Sequence, residues 1–190
     1  EHYGIPLHVA VPFRALPDHI ERRCMMKCGT GQAGWPDSQN KFCTSDCKRA
    51  PIQKVTRHLF PALHGKENIL QVTGERRQES PGRAKLDEFA PNHMLTTLKR
   101  TVTNWRPILD YSVDDVWACI KATGLRRHIA YDRGNERLSC AICVLASDND
   151  ICNGAIARPD LAERYLRIET QTCQTFRHKR SLAQILNKEK

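Results

Sequence analysis

The sequence predicts an α/β fold, and three observations lead to that prediction. Short apolar runs alternate with helical patterns along the chain, which is the order of elements typical of this class. The runs at residues 5–11 and 69–73 are rich in Val, Ile and Leu and lack a polar alternate face, as buried parallel strands do. A further strand is predicted over residues 101–105.

The clearest helix is predicted over residues 113–123. Ser112 is a typical N-cap, and Asp115 stands three residues later, as in a capping box. Gly124 suits the left-handed position that ends many helices. The remaining elements are a helix from Pro159 to about residue 170, a short helix over residues 181–187, and a long loop over residues 29–40, which holds three glycines and a proline.

Length and composition limit the classes of protein to which the chain can belong. The chain has 190 residues, of which 40% are hydrophobic and 27% charged, so we expect one domain spanning residues 1–190. A chain of this length buries enough surface to fold without a disulfide framework. Its longest apolar run falls short of the roughly 18 to 20 residues that a membrane span requires, so no membrane partner is expected. The net charge of +9 favours contact with polyanions.

Nine cysteines therefore need another explanation. Several lie at short spacings, as in Cys140-x2-Cys143, and such spacings in a chain without a secretory leader indicate metal or redox chemistry in a reducing cytoplasm. Cys119 falls within the predicted helix and is interpreted as a small buried residue. Cys173 stands alone near basic residues and is interpreted as a packing residue rather than a nucleophile.

A cationic segment follows the second predicted strand. Residues 74–83 contain three arginines and a serine directly after Gly74. The carboxyl edge of an open α/β sheet is where ligands bind, and guanidinium groups match phosphate or sulfate oxygens in pairs. The pattern therefore predicts an oxyanion pocket, and the alternative is a solvated basic loop.

Three ordered motifs carry a family resemblance. Residues 74–83, GERRQESPGR, resemble the signature G-x-R-x-x-E-S-x-x-R, and residues 105–146 contain W-x-P-I, D-V-W, Y-D-x-G and R-x-x-C-x-x-C in order. Residues 42–51, FCTSDCKRAP, resemble R-x-C-T-x-x-L-K-x-x-P, with Lys41 near the usual arginine and Cys47 where leucine is common. On these motifs the chain resembles the phosphoadenosine phosphosulfate (PAPS) reductase family of the adenine nucleotide alpha-hydrolase-like superfamily.

The resemblance implies a Rossmann-like parallel sheet with a cysteine-rich C-terminal part. The family's phosphate-gripping loop, S-G-G-K-D-S, does not occur in this sequence and is expected to precede Glu1, so the resemblance implies an N-terminally truncated family domain. Carried over position by position, it implies a nucleotide phosphate or sulfate site, with no catalytic residue assigned. The residues so implied are Gly74, Arg76, Glu79, Ser80 and Arg83, together with Lys48, Tyr131 and Arg137.

The cysteines admit three interpretations. Four thiolates suit an iron–sulfur cluster or a structural zinc. The resemblance, which is closest to the sulfurtransferase of bacterial DNA phosphorothioation, implies a 4Fe-4S cluster held by Cys43, Cys140, Cys143 and Cys152. The alternatives are a zinc ion on Cys24, Cys28, Cys43 and Cys47, or separate thiols without metal.

The resemblance implies two enzyme classes, and the charge adds a third hypothesis. The first is an ATP-binding sulfurtransferase of the ATP pyrophosphatase type, which adenylates an acceptor for sulfur insertion and takes sulfur from a cysteine desulfurase. The second is reduction of PAPS or adenylyl sulfate with thioredoxin. The third is a basic nucleic-acid-binding module without catalysis, which the pI of about 9.2 favours; nucleic acid is equally an expected substrate of the first.

Overall fold

Helices make up most of the secondary structure of the chain. The computed structural model describes residues 4–61 and 65–187. Within those residues no helix is long and apolar enough to cross a membrane. The helices are α1 (Leu16–Lys27), α2 (Phe42–Thr44), a π-helical turn (Ser45–Arg49), α3 (Ala50–Leu59), a 3-10 turn (Arg77–Glu79), α4 (Pro81–Ala84), α5 (Val113–Thr123), α6 (Ile129–Asp132), α7 (Asp148–Ala157), α8 (Pro159–Thr172) and α9 (Leu182–Leu186).

The chain divides into two compact units. The first unit contains Glu1–Ile52 and His128–Lys190, and the second contains Gln53–Arg127. The second unit is therefore an insertion between two segments of the first. The expected oxyanion pocket at residues 74–83 falls in the second unit, whereas the cysteines of the implied cluster fall in the first.

The sheet of the second unit has three strands. They are β1 (Glu67–Val72), β2 (Phe89–Pro91) and β3 (Arg100–Trp105), in the spatial order β1-β3-β2. β1 pairs with β3 in parallel, from Glu67 opposite Arg100 to Val72 opposite Trp105, and β2 pairs with β3 antiparallel. The strands predicted at residues 69–73 and 101–105 are confirmed, and so is the mixed α/β class.

Two predictions about burial are wrong. Leu70 and Val72 are 52% and 54% exposed, because β1 lies at the edge of the described sheet and only its alternate side chains are half-buried. The run at residues 5–11 forms no strand in the described part of the chain, and its Ile, Leu and Val side chains are 68–76% exposed. A strand is stable only when it is paired, and this run pairs with none of β1, β2 and β3.

The core of the second unit forms beneath β3. Val102 and Leu109 are buried there. The next helix, α5, has the predicted caps at Ser112 and Gly124, and Gly124 has a φ of 67°. Cys119 is exposed, which corrects the prediction that it is buried. The half-buried side of α5 carries Val116, Trp117 and Ile120, and Cys119 projects from a different side of the helix.

A cluster of aromatic side chains lies in the core of the first unit. Trp35 packs edge-to-face on both Tyr165 and Phe176, with ring centroids 5.2 Å apart in each pair. Such pairs add about 0.5–1.5 kcal/mol beyond the area they bury. Gln174 anchors the predicted loop over residues 29–40, since its side chain accepts a hydrogen bond from the Gly34 amide at 2.5 Å. The loop is irregular, as predicted, yet its middle is held in the core.

Candidate functional site

Residues 74–83, called the arginine loop below, begin just after β1 ends at Val72. Because β1 and β3 are parallel, their carboxyl ends meet at one edge, where the Thr73 amide donates to the Trp105 carbonyl at 2.9 Å. The loop then makes a 3-10 turn, and Ser80 caps α4 by accepting a hydrogen bond from the Arg83 amide at 3.2 Å. The sequence thus places a locally ordered loop at the sheet edge where ligands bind in this fold class.

Two carboxylates hold Arg83 in the loop. Its Nη1 lies 2.7 Å from Glu79 Oε2, and its Nε lies 3.6 Å from Glu75 Oε1. Glu75 also accepts a hydrogen bond from Arg106 Nε at 2.7 Å. Partial burial works to raise the pKa of Glu75, but the hydrogen bond and charge of Arg106 outweigh it and lower the pKa below its usual value. Glu75 is therefore a charged bridge between two arginines.

The three arginines of the loop have different surroundings. The hydrogen-bonding capacity of Arg77 is taken up by partners in its own unit. Its guanidinium donates to the Asp110 carboxylate, to the Ala84 carbonyl at 3.0 Å and to the Leu86 carbonyl. Arg76 is different: its side chain is 17% exposed, and its Nη1 is buried without a hydrogen-bond partner among residues 4–61 and 65–187. A buried charged donor without an acceptor costs about 1–3 kcal/mol or more. Arg76 Nε lies 4.0 Å from Glu79 Oε1, but Nη1 has no acceptor among the described residues.

Sequence reasoning missed two residues of this site. Glu75 and Arg106 carry no motif position that predicts their pairing, and Arg106 is only 6% exposed. The available signal was a charged residue inside the W-R-P-I segment, directly after β3. A charge is seldom buried without a partner, so an arginine at a strand's end predicts a nearby carboxylate.

The three other residues implied for the nucleotide site lie in the first unit. Arg137 donates to the Leu145 carbonyl, and Tyr131 Oη accepts a hydrogen bond from the Leu138 amide at 3.2 Å. Lys48 is exposed on the π-helical turn. The arginine loop belongs to the second unit, so the participation of these three in one site stays a prediction.

Two thiols of the first unit, Cys43 and Cys140, lie within electrostatic range of both Cys47 and Cys143. Cys43 and Cys47 are one helical turn apart, and Cys140 and Cys143 lie on the loop before α7. Burial raises the pKa of Cys47 and of Cys143, and for both the charges of Cys43 and Cys140 raise it further. Cys47, which stands where the family usually has leucine, therefore lies near two of the four implied ligands, Cys43 and Cys140.

The fourth implied ligand has a different environment. Cys152 is 5% exposed within the core, and its Sγ lies 3.9 Å from the Ile185 carbonyl oxygen. Cys143 packs against the same core. Two of the ligands in the zinc alternative are Cys24 and Cys28, and their surroundings differ. Cys24 is fully buried, and burial raises its pKa to about 11. Cys28 is exposed.

The thiols are the right donor set for iron–sulfur or zinc binding. Within the described ranges, however, no group of three or more His, Cys, Asp or Glu side chains is close enough to hold a metal ion. The cluster therefore stays a prediction, and binding would require these thiols to draw together.

Three similar proteins cover parts of the chain. A 37.8 kDa uncharacterized protein of Escherichia phage 186 is 27% identical over 117 residues, which is 62% of this chain and 34% of the relative. An uncharacterized protein of Methanocaldococcus jannaschii is 25% identical over 135 residues, 71% of this chain and 30% of the relative. The adenosine 5'-phosphosulfate reductase of Burkholderia cepacia is 32% identical over 75 residues, 40% of this chain and 28% of that enzyme.

The chain thus spans about a third of the length of the curated relatives that it matches. A protein-family comparison gives a longer match, to the phosphoadenosine phosphosulfate reductase domain over residues 1–146. That match includes the arginine loop, β1 to β3, and the segment of Cys140 and Cys143. The chain therefore belongs to the phosphoadenosine phosphosulfate reductase domain family.

Proposed function

We propose that the arginine loop binds the phosphate or sulfate group of an adenine nucleotide, and that the protein is an ATP-binding sulfurtransferase of the ATP pyrophosphatase type. The observation that carries the proposal is the buried, unpartnered Nη1 of Arg76 among the residues described, at the carboxyl end of a parallel strand. A phosphate oxygen is the strong acceptor that this donor lacks.

The loop is preorganised for that role. Glu75 and Glu79 hold Arg83, and Arg106 in turn neutralises Glu75. Arg76 Nε lies 4.0 Å from Glu79 Oε1, which leaves the buried Nη1 of Arg76 as the donor for a ligand. Fixed donors stabilise the charge that develops on phosphate oxygens without reorganising during the reaction.

In the proposed reaction an acceptor oxygen attacks the α-phosphorus of ATP. The new O–P bond forms as the bond to the β-phosphate bridge breaks, and pyrophosphate leaves. The outer sulfur of a carrier persulfide then attacks the atom that bears the adenylated oxygen, and AMP leaves with that oxygen. A second thiol attacks the carrier sulfur of the resulting disulfide, so that the carrier leaves as a mixed disulfide with that thiol and the transferred sulfur stays on the acceptor. The net charge of +9 supports a nucleic acid as the acceptor.

The test compares nucleotide binding by the full-length protein and two variants. Removing the Arg76 guanidinium by Arg76→Ala should weaken ATP binding about tenfold or more, since a hydrogen bond to a charged group contributes about 1.5–3 kcal/mol. Arg126→Ala removes the same charge from an exposed site in the same unit and should leave the affinity unchanged. Equal affinities for wild type and Arg76→Ala would contradict the proposed site.

We also propose that Cys43, Cys140 and Cys143 hold a 4Fe-4S cluster, with Cys152 or Cys47 as the fourth ligand. The charges of Cys43 and Cys140 help to raise the pKa of both Cys47 and Cys143, and this proximity supports the set. Such a cluster supplies electron transfer or a site for sulfur. After anaerobic purification, iron and acid-labile sulfide should be present and should be lost in Cys143→Ala; stoichiometric zinc instead would contradict the cluster.

A second candidate function is reduction of a sulfonucleotide with thioredoxin, because one relative is an adenosine 5'-phosphosulfate reductase. That chemistry requires a thiolate that reaches the sulfur of the substrate. Cys173 is exposed at the end of α8, but it is held between the buried residues Thr172 and Phe176. Release of sulfite that depends on thioredoxin would favour this function, and ATP cleavage to pyrophosphate would favour the first.

A further inference from the structure

A cavity outside the arginine loop lies wholly within the first unit. Its volume is about 320 Å³, and it is bounded by α6, the loop that carries Cys140, and the C-terminal half of α7. This volume is at the small end of the range for small-molecule sites. None of its lining residues belongs to the arginine loop.

The floor of the cavity contains an unsatisfied donor. Asn153 lines the cavity from α7, and its Nδ2 is buried without a hydrogen-bond partner within residues 4–61 and 65–187. Gly134, whose φ is 86°, lies close to this atom: a Cβ there would be 3.8 Å from Nδ2. The Asn149 side chain fixes that turn by donating to the Gly134 carbonyl at 2.9 Å. The Asn153 Nδ2 donor therefore lies beside an ordered turn and lacks an acceptor among the described residues.

Two further donors face the same space. His128 Nδ1 accepts a hydrogen bond from the Ala130 amide at 3.1 Å, so the neutral ring carries its proton on Nε2. Arg133 is exposed and has no acidic partner among the residues described. Arg158 also lines the cavity, but Asp160 binds its guanidinium at 2.7 and 2.9 Å.

The charged side chains that line the cavity are all basic. The lining contains two arginines and a histidine, and it contains no Asp or Glu. Asp160 neutralises Arg158, so the donors left for a ligand are the Asn153 amide and the Arg133 guanidinium, and these favour a ligand rich in acceptor oxygens and negative charge. Cys140, one of the proposed cluster ligands, lines the cavity as well, so the bound group would lie beside its sulfur.

We propose that this cavity is a second anion site, which binds a small ligand through a tetrahedral sulfur or phosphorus oxyanion. The Asn153 amide and the Arg133 guanidinium donate to its oxygens, and Cys140 faces it. The proposal goes beyond the nucleotide site, because it uses residues of the other unit and does not depend on what the arginine loop binds.

Calorimetric titration of the full-length protein tests the site, with thiosulfate and inorganic phosphate as oxyanions and glycerol as the neutral control. Arg133→Gln should weaken oxyanion binding about tenfold, the factor that corresponds to one charge-assisted hydrogen bond. Arg167→Gln removes the same charge from an exposed position on α8 outside the cavity and should have no effect. Asn153→Leu, which keeps the side-chain volume, should weaken binding by a similar factor.

The variants also separate the two anion sites. Arg133 is exposed, so Arg133→Gln should fold even if Asn153→Leu does not. Oxyanion binding that persists in Arg76→Ala and weakens in Arg133→Gln supports the cavity. Binding that disappears in Arg76→Ala and is unchanged in Arg133→Gln belongs to the arginine loop and overturns the proposal, as does the absence of any oxyanion binding. Preference for thiosulfate over phosphate identifies sulfur as the central atom.

Discussion

The Glu75 carboxylate accepts a 2.7 Å hydrogen bond from the guanidinium of Arg106, and this pair joins the start of the arginine loop to the end of β3. Arg106 also donates to the Asp87 carbonyl at 2.8 Å, so one buried side chain connects two segments of the second unit. Glu75 in turn attracts Arg83. The same charges thus stabilise the fold of this unit and order the proposed anion site.

Replacing Arg106 should destabilise the second unit. Arg106→Met keeps much of the side-chain volume but removes the charge, which leaves Glu75 without its closest partner and the Asp87 carbonyl without this donor. We expect the free energy of unfolding to fall by about 2–3 kcal/mol, below the cost of breaking a fully buried pair because Glu75 is partly exposed. Urea denaturation measures the change. Arg126→Met is the control, and an equal loss in both variants would contradict the role of the pair.

The same pair predicts a pH dependence. The pKa of Glu75 is lower in the folded protein than its usual value of 4.5, so the unfolded state takes up the proton first as pH falls. The stabilisation is therefore complete above about pH 4.5 and is lost as pH falls through the lower, folded-state value. Glu75→Gln should be less stable than wild type near pH 7, and the difference should shrink toward about pH 3. Denaturation curves at both pH values test this; a constant difference contradicts it.

Local patterns in the sequence predicted much of the fold. The caps of α5 and the start of α8 at Pro159 follow from short-range chemistry that a single segment contains. Residues 5–11 have the composition of a buried strand, but strand formation depends on a partner elsewhere in the chain, which composition does not reveal. The division into two units also rests on contacts between segments distant in sequence.

The candidate site was predictable only to the level of its motif. The signature placed Arg76 and Arg83 in one loop, and the structure puts both there. It did not predict that Glu75 and Arg106 hold the loop, because their partnership spans 31 residues. Nor did it show that Cys47 lies near Cys43 and Cys140. Such relationships depend on tertiary packing rather than on residue spacing.

Arg76 and its neighbour Arg77 should respond differently to substitution. Arg77 donates to the carbonyls of Ala84 and Leu86 and pairs with Asp110, so Arg77→Ala removes hydrogen bonds that hold the loop and should cost about 1–3 kcal/mol of unfolding free energy. Arg76→Ala removes a donor whose Nη1 has no acceptor among the described residues and whose ion pair with Glu79 is 4.0 Å long, so it should cost less than about 1 kcal/mol. Thermal melting of the two variants, measured without nucleotide, checks the difference. A larger loss of stability in Arg76→Ala would contradict the assignment of their roles.

The most severe steric constraint lies where α7 crosses the loop of Cys140. A Cβ at Gly154 would lie 1.6 Å from the carbonyl oxygen of Ala141, a backbone atom that cannot move without displacing that loop. Gly154→Ala should therefore destabilise the first unit by about 3 kcal/mol or more, at the upper end of the cost of overpacking. Gly82→Ala is the matched control, because in α4 the nearest atom to its new Cβ is 4.0 Å away. That variant should be as stable as wild type or gain up to about 1 kcal/mol, since alanine restricts the unfolded chain. Urea denaturation of both variants measures the contrast, and a Gly154→Ala protein of wild-type stability would show that the helix and the loop are not packed as described.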